Sequence, residues 1–242
     1  MTGRIDNTPG FVLHSYPFRE TSLIVEIWTE SHGRVPLVAR GARRPGSAMR
    51  SRLMPFLPLA FSWSGKQELR TLIRAEWLGG LPIPQGLGLL CGFYVNELMI
   101  KLLARDDPHP GLFPWYVQTL QALATGRDAS EHAISLRRFE QHLLTELGYA
   151  QPFDQDARHG QPIHADLSYH YLCEVGALPA ERQTPSGSIQ LRGKTLIDLA
   201  RQDFSDPVSL QQSKLLMRHI INHHLGGQTL HARELLKDLQ QL

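Results

Sequence analysis

The chain has 242 residues, enough for one large domain or two smaller ones, and its 42% hydrophobic and 20% charged content is that of a folded globular protein, not a disordered or collagen-like one. No stretch approaches the roughly 18 apolar residues of a membrane span, no apolar leader follows Arg4, and the two distant cysteines, Cys91 and Cys173, can build neither a disulfide framework nor a four-cysteine zinc site, so a reducing cytoplasm is expected. The net charge of +2 divides unevenly: residues 1–80 carry 11 Lys and Arg against 6 Asp and Glu, a balance of +5, whereas the remainder carries 14 against 17, or −3, which points the first part toward a polyanion.

From residue 10 to 80, short apolar runs are broken by turn signals, which predicts strands over Gly10–Ser15, Thr21–Thr29, Gly33–Arg40, Pro58–Ser64 and Leu69–Glu76. In the second, Leu23, Val25 and Ile27 alternate with Ile24, Glu26 and Trp28, so one face is buried. Five short strands must hide their edges, and a five-stranded barrel of the OB type does so; an SH3-like barrel is the rival. Gly79-Gly80-Leu81-Pro82-Ile83-Pro84 can continue neither strand nor helix, which places a boundary near residue 80, with residues 1–80 as the nucleic-acid-binding barrel and 81–242 as a second, all-helical domain. The fold class expected is therefore α+β and multidomain.

Beyond the boundary the apolar period becomes helical. Leu89, Leu90, Phe93, Tyr94, Leu98 and Lys101 recur at three and four, giving a helix that ends near Arg105. Further helices are predicted over Gly111–Ala124, Ser130–Leu147, Ala165–Val175, Leu191–Arg201, Val208–Leu225 and Leu230–Gln241. Tyr149 to Pro162 is polar and reads as an unusually long loop, an insertion or a mobile element.

Arg34, Arg40, Arg43, Arg44, Arg50 and Arg52 fall within 19 positions that contain no acidic residue. Such a run is a solvated loop or an anion-binding one; its place between strands of a barrel, with Gly41, Gly46 and Ser47 able to mould the backbone onto phosphates, favours DNA. Tyr16, Phe18 and Trp28, beside turns or on the outer strand face, are the candidates for base stacking, while Phe11, Phe61 and Trp77 are expected in the core. Catalysis finds little support: there is no GxSxG elbow and no HExxH. Gly193-Lys194-Thr195 imitates the end of a phosphate loop, but Ser188 stands where the first glycine should be. His219 and His223, and the irregular set His159, His164, His170 and Cys173, are weak metal candidates, so no metal and no cofactor is expected.

Five blocks in order, Gly10 to Leu23, Gly33 to Arg43, Tyr94-Val95-Asn96-Glu97-Leu98, Leu136-Arg137-Arg138-Phe139-Glu140 and Leu147-Gly148-Tyr149, resemble the RecO family of bacterial recombination mediators. The resemblance implies an OB-fold followed by a helical domain. It implies a protein of the RecF pathway, without enzymatic activity, that binds single- and double-stranded DNA, anneals complementary strands and, with RecR, helps RecA displace the single-strand-binding protein. It also implies that Arg137 and Arg138 lie where the helical domain receives the acidic, Phe-ended tail of that protein; the alternative, on their own chemistry, is a structural ion pair with Glu97 or Glu140. Some relatives carry a four-cysteine zinc module after the Leu-Gly-Tyr block. Here residues 150–175 offer Asp154, Asp156, Arg158 and His159, with Cys173 downstream, so no structural zinc is expected and Phe153, Leu167, Tyr171 and Leu172 should supply the packing. A nucleoid-associated location follows from the same resemblance. The rival readings are a metal-dependent enzyme acting on nucleic acid and a protein-interaction scaffold whose arginines meet acidic protein surfaces.

Overall fold

The period-two pattern of the first 80 residues closes into a barrel. The structure, a computed structural model, describes residues 3–181 and 183–239. Five strands, β1 (Arg4–Phe18), β2 (Ser22–Thr29), β3 (Gly33–Ala39), β4 (Leu59–Ser64) and β5 (Arg70–Trp77), join in the closed order β1-β2-β3-β5-β4, with the short helix α1 (Ala48–Arg52) between β3 and β4. Val12, Val25, Ile27, Val35, Leu37, Leu59, Phe61 and Leu72 fill the interior. Closure removes sheet edges, which is why so small a β module can stand.

The first strand is longer than its sequence suggests. Asn7 adopts a left-handed conformation, φ 52°, at an irregularity between Ile5 and Thr8, and its N–H donates to Ser62 Oγ at 3.1 Å. This bend lets β1 pair with β4 through its first half and with β2 through its second. Asn7 and Pro9 look like strand breakers in sequence, but a bulged segment accommodates both.

Two compact units form: residues 1–128 with 230–242, and residues 129–229. In the first, α2 (Gly86–Leu102) is apolar around most of its circumference and is accordingly enclosed, packing on β1, on α3 (Leu112–Thr125) and on α7 (His231–Leu239). Asn96 fastens it: its amide donates to the Leu13 carbonyl at 2.9 Å and accepts from Tyr116 Oη at 2.8 Å. Glu97 caps α7, accepting from the backbone N–H groups of His231 and Ala232 at 2.9 Å each; Lys101 pairs with the same carboxylate at 3.1 Å. Gln241, the expected end of the last helix, lies outside the described residues.

The second unit contains α4 (Ala129–Glu146), α5 (Gly193–Arg201) and α6 (Pro207–His224), together with a small antiparallel sheet, β7-β6-β8. The helix expected over 165–175 is replaced by the central strand β6 (Ser168–Leu172), flanked by β7 (Gly176–Pro179) and β8 (Ile189–Arg192). Two β-favouring tyrosines, Tyr169 and Tyr171, are buried there, and partners on both sides outweigh the helical pattern expected over these eleven residues. Leu167, expected to pack, is exposed, whereas Phe153 meets Tyr171 with ring centroids 5.9 Å apart.

The polar run before this sheet is tied together by one carboxylate. Asp156 accepts from the N–H groups of His159 at 2.7 Å, Arg158 at 2.9 Å and Gln161 at 3.0 Å, and its own N–H donates to the Gln161 carbonyl at 2.8 Å. Those backbone donors, His159 foremost, hold its carboxyl below the usual carboxylate range. Asp156→Ala will lower the thermal unfolding midpoint at neutral pH. A carboxyl whose folded value is depressed contributes its stability above about pH 4, and that contribution disappears as pH falls through the depressed value. Melting curves at neutral pH and near pH 3 should therefore show a gap between parent and variant that narrows in acid; equal midpoints at neutral pH would refute the role.

Candidate nucleic-acid interface

β1 runs toward, and β2 leaves from, the barrel end where Phe18 pairs with Ser22, and β3 arrives there at Ala39. Two loops therefore meet at that end, 19–21 and 40–47. Gly41, with φ 70°, turns the chain, Ala42 inserts into the core, and the Arg43 N–H donates to the Thr21 carbonyl at 2.9 Å. Arg43 also reaches the Arg19 carbonyl with its guanidinium at 3.2 Å. Met49 and Leu53 pack against the barrel core and anchor α1 as a plug.

With the apolar anchors turned inward, Arg40, Arg43, Arg44, Arg50 and Arg52 are left exposed, and among the described residues no carboxylate pairs with any of them. Arg19 joins this end of the barrel. Its guanidinium lies 5.2 Å from the centroid of Phe18. Nothing in its immediate sequence marks it; the signal that could have found it is its position in the β1–β2 loop, one of the loops with which OB barrels hold oligonucleotides. Uncompensated guanidinium groups can each present two parallel N–H donors to a phosphate.

Arg34 does not belong to this set. It is 13% exposed, its Nε lies 3.8 Å from the buried Glu26 carboxylate, and its guanidinium donates to the Ile100 carbonyl. Arg105 holds the other oxygen of Glu26 and also pairs with Glu68 at 2.6 Å. Arg34 thus joins β3 to the end of α2, and burial holds its guanidinium below its ordinary value while Glu26 works in the opposite sense.

The aromatic candidates separate in the same way. Trp28 is fully buried against Phe113 and Tyr116, with centroids 5.2 and 5.4 Å away, so it offers no face to a base. The outer face of β2 is covered here by α3, which the alternation of β2 alone could not reveal. Tyr16 is 40% exposed, edge-on to His14 at 4.5 Å, and burial together with Glu26 raises its phenol above the ordinary value. Phe18 is half-buried under Arg19. Phe11 and Phe61 are in the core as expected, but Trp77 is 67% exposed.

On α4 the two adjacent arginines take different paths. Arg137 is buried, donating to Glu140 at 2.6 Å and to the Lys214 carbonyl at 3.5 Å, so it is an internal residue and not a docking one. Arg138 is exposed. Lys214, Leu215 and Arg218 are exposed on α6, the helix packed on α4.

The family model "Recombination protein O N terminal" matches residues 1–81, and "Recombination protein O C terminal" matches residues 84–234. Relatives named DNA repair protein RecO include that of Nitrosospira multiformis, 50% identical over 99% of this chain and 98% of the relative. That of Azoarcus sp. is 49% identical over 99% and 98%, and that of Dechloromonas aromatica 46% identical over 100% and 99%. The chain belongs to the RecO family. As a member it has a role in DNA repair and recombination, and its barrel is the OB-fold of that family.

The two matched RecO parts meet in the Gly- and Pro-rich stretch that ends the barrel. Among the described residues no helix is long and apolar enough to cross a membrane, and no three His, Cys, Asp or Glu side chains gather as metal ligands. His223 instead meets Glu174 at 3.0 Å, and His224 stacks on Tyr149 at 3.8 Å. The Gly193-Lys194-Thr195 run is explained by packing. A Cβ on Gly193 would lie 1.9 Å from the His164 carbonyl oxygen, Lys194 pairs with Asp198 at 2.6 Å, and Thr195 donates to Gln212 at 2.7 Å.

Proposed function

We propose that this RecO-family chain is a recombination mediator of the RecF pathway that binds single- and double-stranded DNA through the arginine-rich end of its barrel. The observation that carries the reading is the set Arg40, Arg43, Arg44, Arg50 and Arg52, exposed together without carboxylate partners on an OB-fold. Neutralising phosphates lets two strands approach without their mutual repulsion, and base pairing then drives annealing with no nucleotide fuel. The protein acts without bond-making chemistry; with RecR it helps load RecA onto DNA covered by the single-strand-binding protein. Arg138 is the residue we assign to the tail of that protein; it is exposed on α4, the helix that packs on α6, and α6 exposes Lys214, Arg218 and the apolar Leu215.

Annealing of two complementary labelled oligonucleotides, followed by energy transfer with the full chain and no added nucleotide, tests this directly. The expected result is an acceleration that fades as salt is raised. No acceleration, with no retention of either strand at low salt, would instead favour a scaffold whose arginines meet acidic proteins.

A further inference from the structure

β3 runs parallel to β5 but pairs only with its first two residues, Leu37 with Arg70 and Val38 with Thr71. Both strands therefore head for the same barrel end, and β5 continues past the last residue of β3. Helix α1, which carries Arg50 and Arg52 and follows β3 from that end, packs against β5.

Trp77 is the last residue of β5, directly opposite Leu59 of β4. Opposed residues of an antiparallel pair share a face, and Leu59 is in the barrel core together with Leu53, which follows α1. Trp77 thus stands on the rim of the barrel, on the side that α1 plugs. Beyond that rim nothing covers it: the indole is 67% exposed and makes no ring contact among the described residues. Glu76, its neighbour in the chain, is paired with Arg74 at 3.4 Å, and among the described residues no carboxylate pairs with Arg50 or Arg52.

An exposed indole at the same barrel end as unpaired guanidinium groups has the composition of a single-strand site, in which cations follow the backbone and a flat ring receives a base. We infer that Trp77 is a base-stacking residue for single-stranded DNA at the arginine-rich barrel end. The inference rests on the nucleic-acid reading above and adds to it a residue and a preference for unpaired bases. A duplex keeps its bases stacked on each other and has none to give, so Trp77 should matter for single strands alone.

The test is an anisotropy titration of the full chain and its Trp77→Ala, Trp77→Phe and Arg43→Ala/Arg44→Ala variants with a labelled thymine-rich single strand and with a blunt duplex of equal length. Trp77→Ala should weaken single-strand binding roughly ten-fold, leave duplex binding unchanged and be largely rescued in Trp77→Phe. Single-strand affinity unchanged in Trp77→Ala, or equal losses on both DNA forms, would overturn the stacking role. If the double arginine variant still loses affinity when Trp77→Ala does not, the stacking inference fails alone; if neither variant changes binding, the nucleic-acid reading fails with it. A tryptophan emission change on single-strand binding that is present in the parent and missing from Trp77→Phe gives a second readout, independent of affinity.

Discussion

The Arg43→Ala/Arg44→Ala variant should bind single-stranded DNA about 25-fold more weakly than the parent at 0.1 M salt. On a single strand each neutralised phosphate adds about 0.7 to the slope of log affinity against log salt, and at 0.1 M that is about 0.7 of a decade in affinity per contact. Two lost contacts therefore remove about 1.4 decades. If the intact surface engages about four phosphates, the slope should change from near −3 to near −1.5. Loss should be uniform across sequences, because backbone contacts carry no base information. The fold should survive, since both side chains are exposed and the loop keeps the Ala42 and Arg43 backbone anchors when the exposed guanidinium bond from Arg43 to the Arg19 carbonyl is lost. A titration series across salt concentrations decides the matter. A slope equal to that of the parent would remove these two residues from the interface.

The second large effect separates Arg137 from Arg138. Arg137→Ala removes one arm of a buried ion pair whose Glu140 side chain is 1% exposed, and breaking a buried pair of that kind from one side costs about 3–5 kcal/mol. In a chain of this length that corresponds to a fall of roughly 10 °C in Tm. Arg138→Ala should leave the melting curve in place and weaken binding of an acidic, Phe-terminated peptide about ten-fold, the loss of one charge-assisted contact. Differential scanning calorimetry and peptide titration of both variants test the pair. Peptide binding untouched in a folded Arg138→Ala protein would move the docking site elsewhere; an undiminished Tm in Arg137→Ala would show that the Arg137–Glu140 pair contributes little to stability.

These two pairs show what one-dimensional reasoning could reach. The alternation of Val25 and Ile27 with Glu26 and Trp28, the unbalanced arginines after β3, and the switch to a helical period past the Gly- and Pro-rich stretch are local properties, and they led to a barrel, a basic surface and a helical remainder. In sequence Arg34 looks as open as Arg43, and Trp28 more open than Trp77; the structure reverses both, for one reason. The outer face of β2 and β3 looks solvent-directed from its own strands, but Glu26 and Arg34 are closed off by Ile100 and Arg105, and Trp28 by Phe113 and Tyr116. Trp77 is exposed for the converse reason: it shares a face with buried Leu59 but extends beyond the layer that fills the core.

The sequence by itself determined what each segment can become, because strand and helix periods, turn residues and charge balance act over a few positions. It determined the five-stranded module, most of the helices and the excess of guanidinium groups in the β3–α1 loop. Tertiary structure decided which of those groups face water, that Tyr169 and Tyr171 lie in a strand between two partners, and that Arg137 turns inward while Arg138 does not. Burial is set by residues 66 positions away, as between Arg34 and Ile100, or 77 away, as between Arg137 and Lys214, and no local pattern encodes contacts of that range.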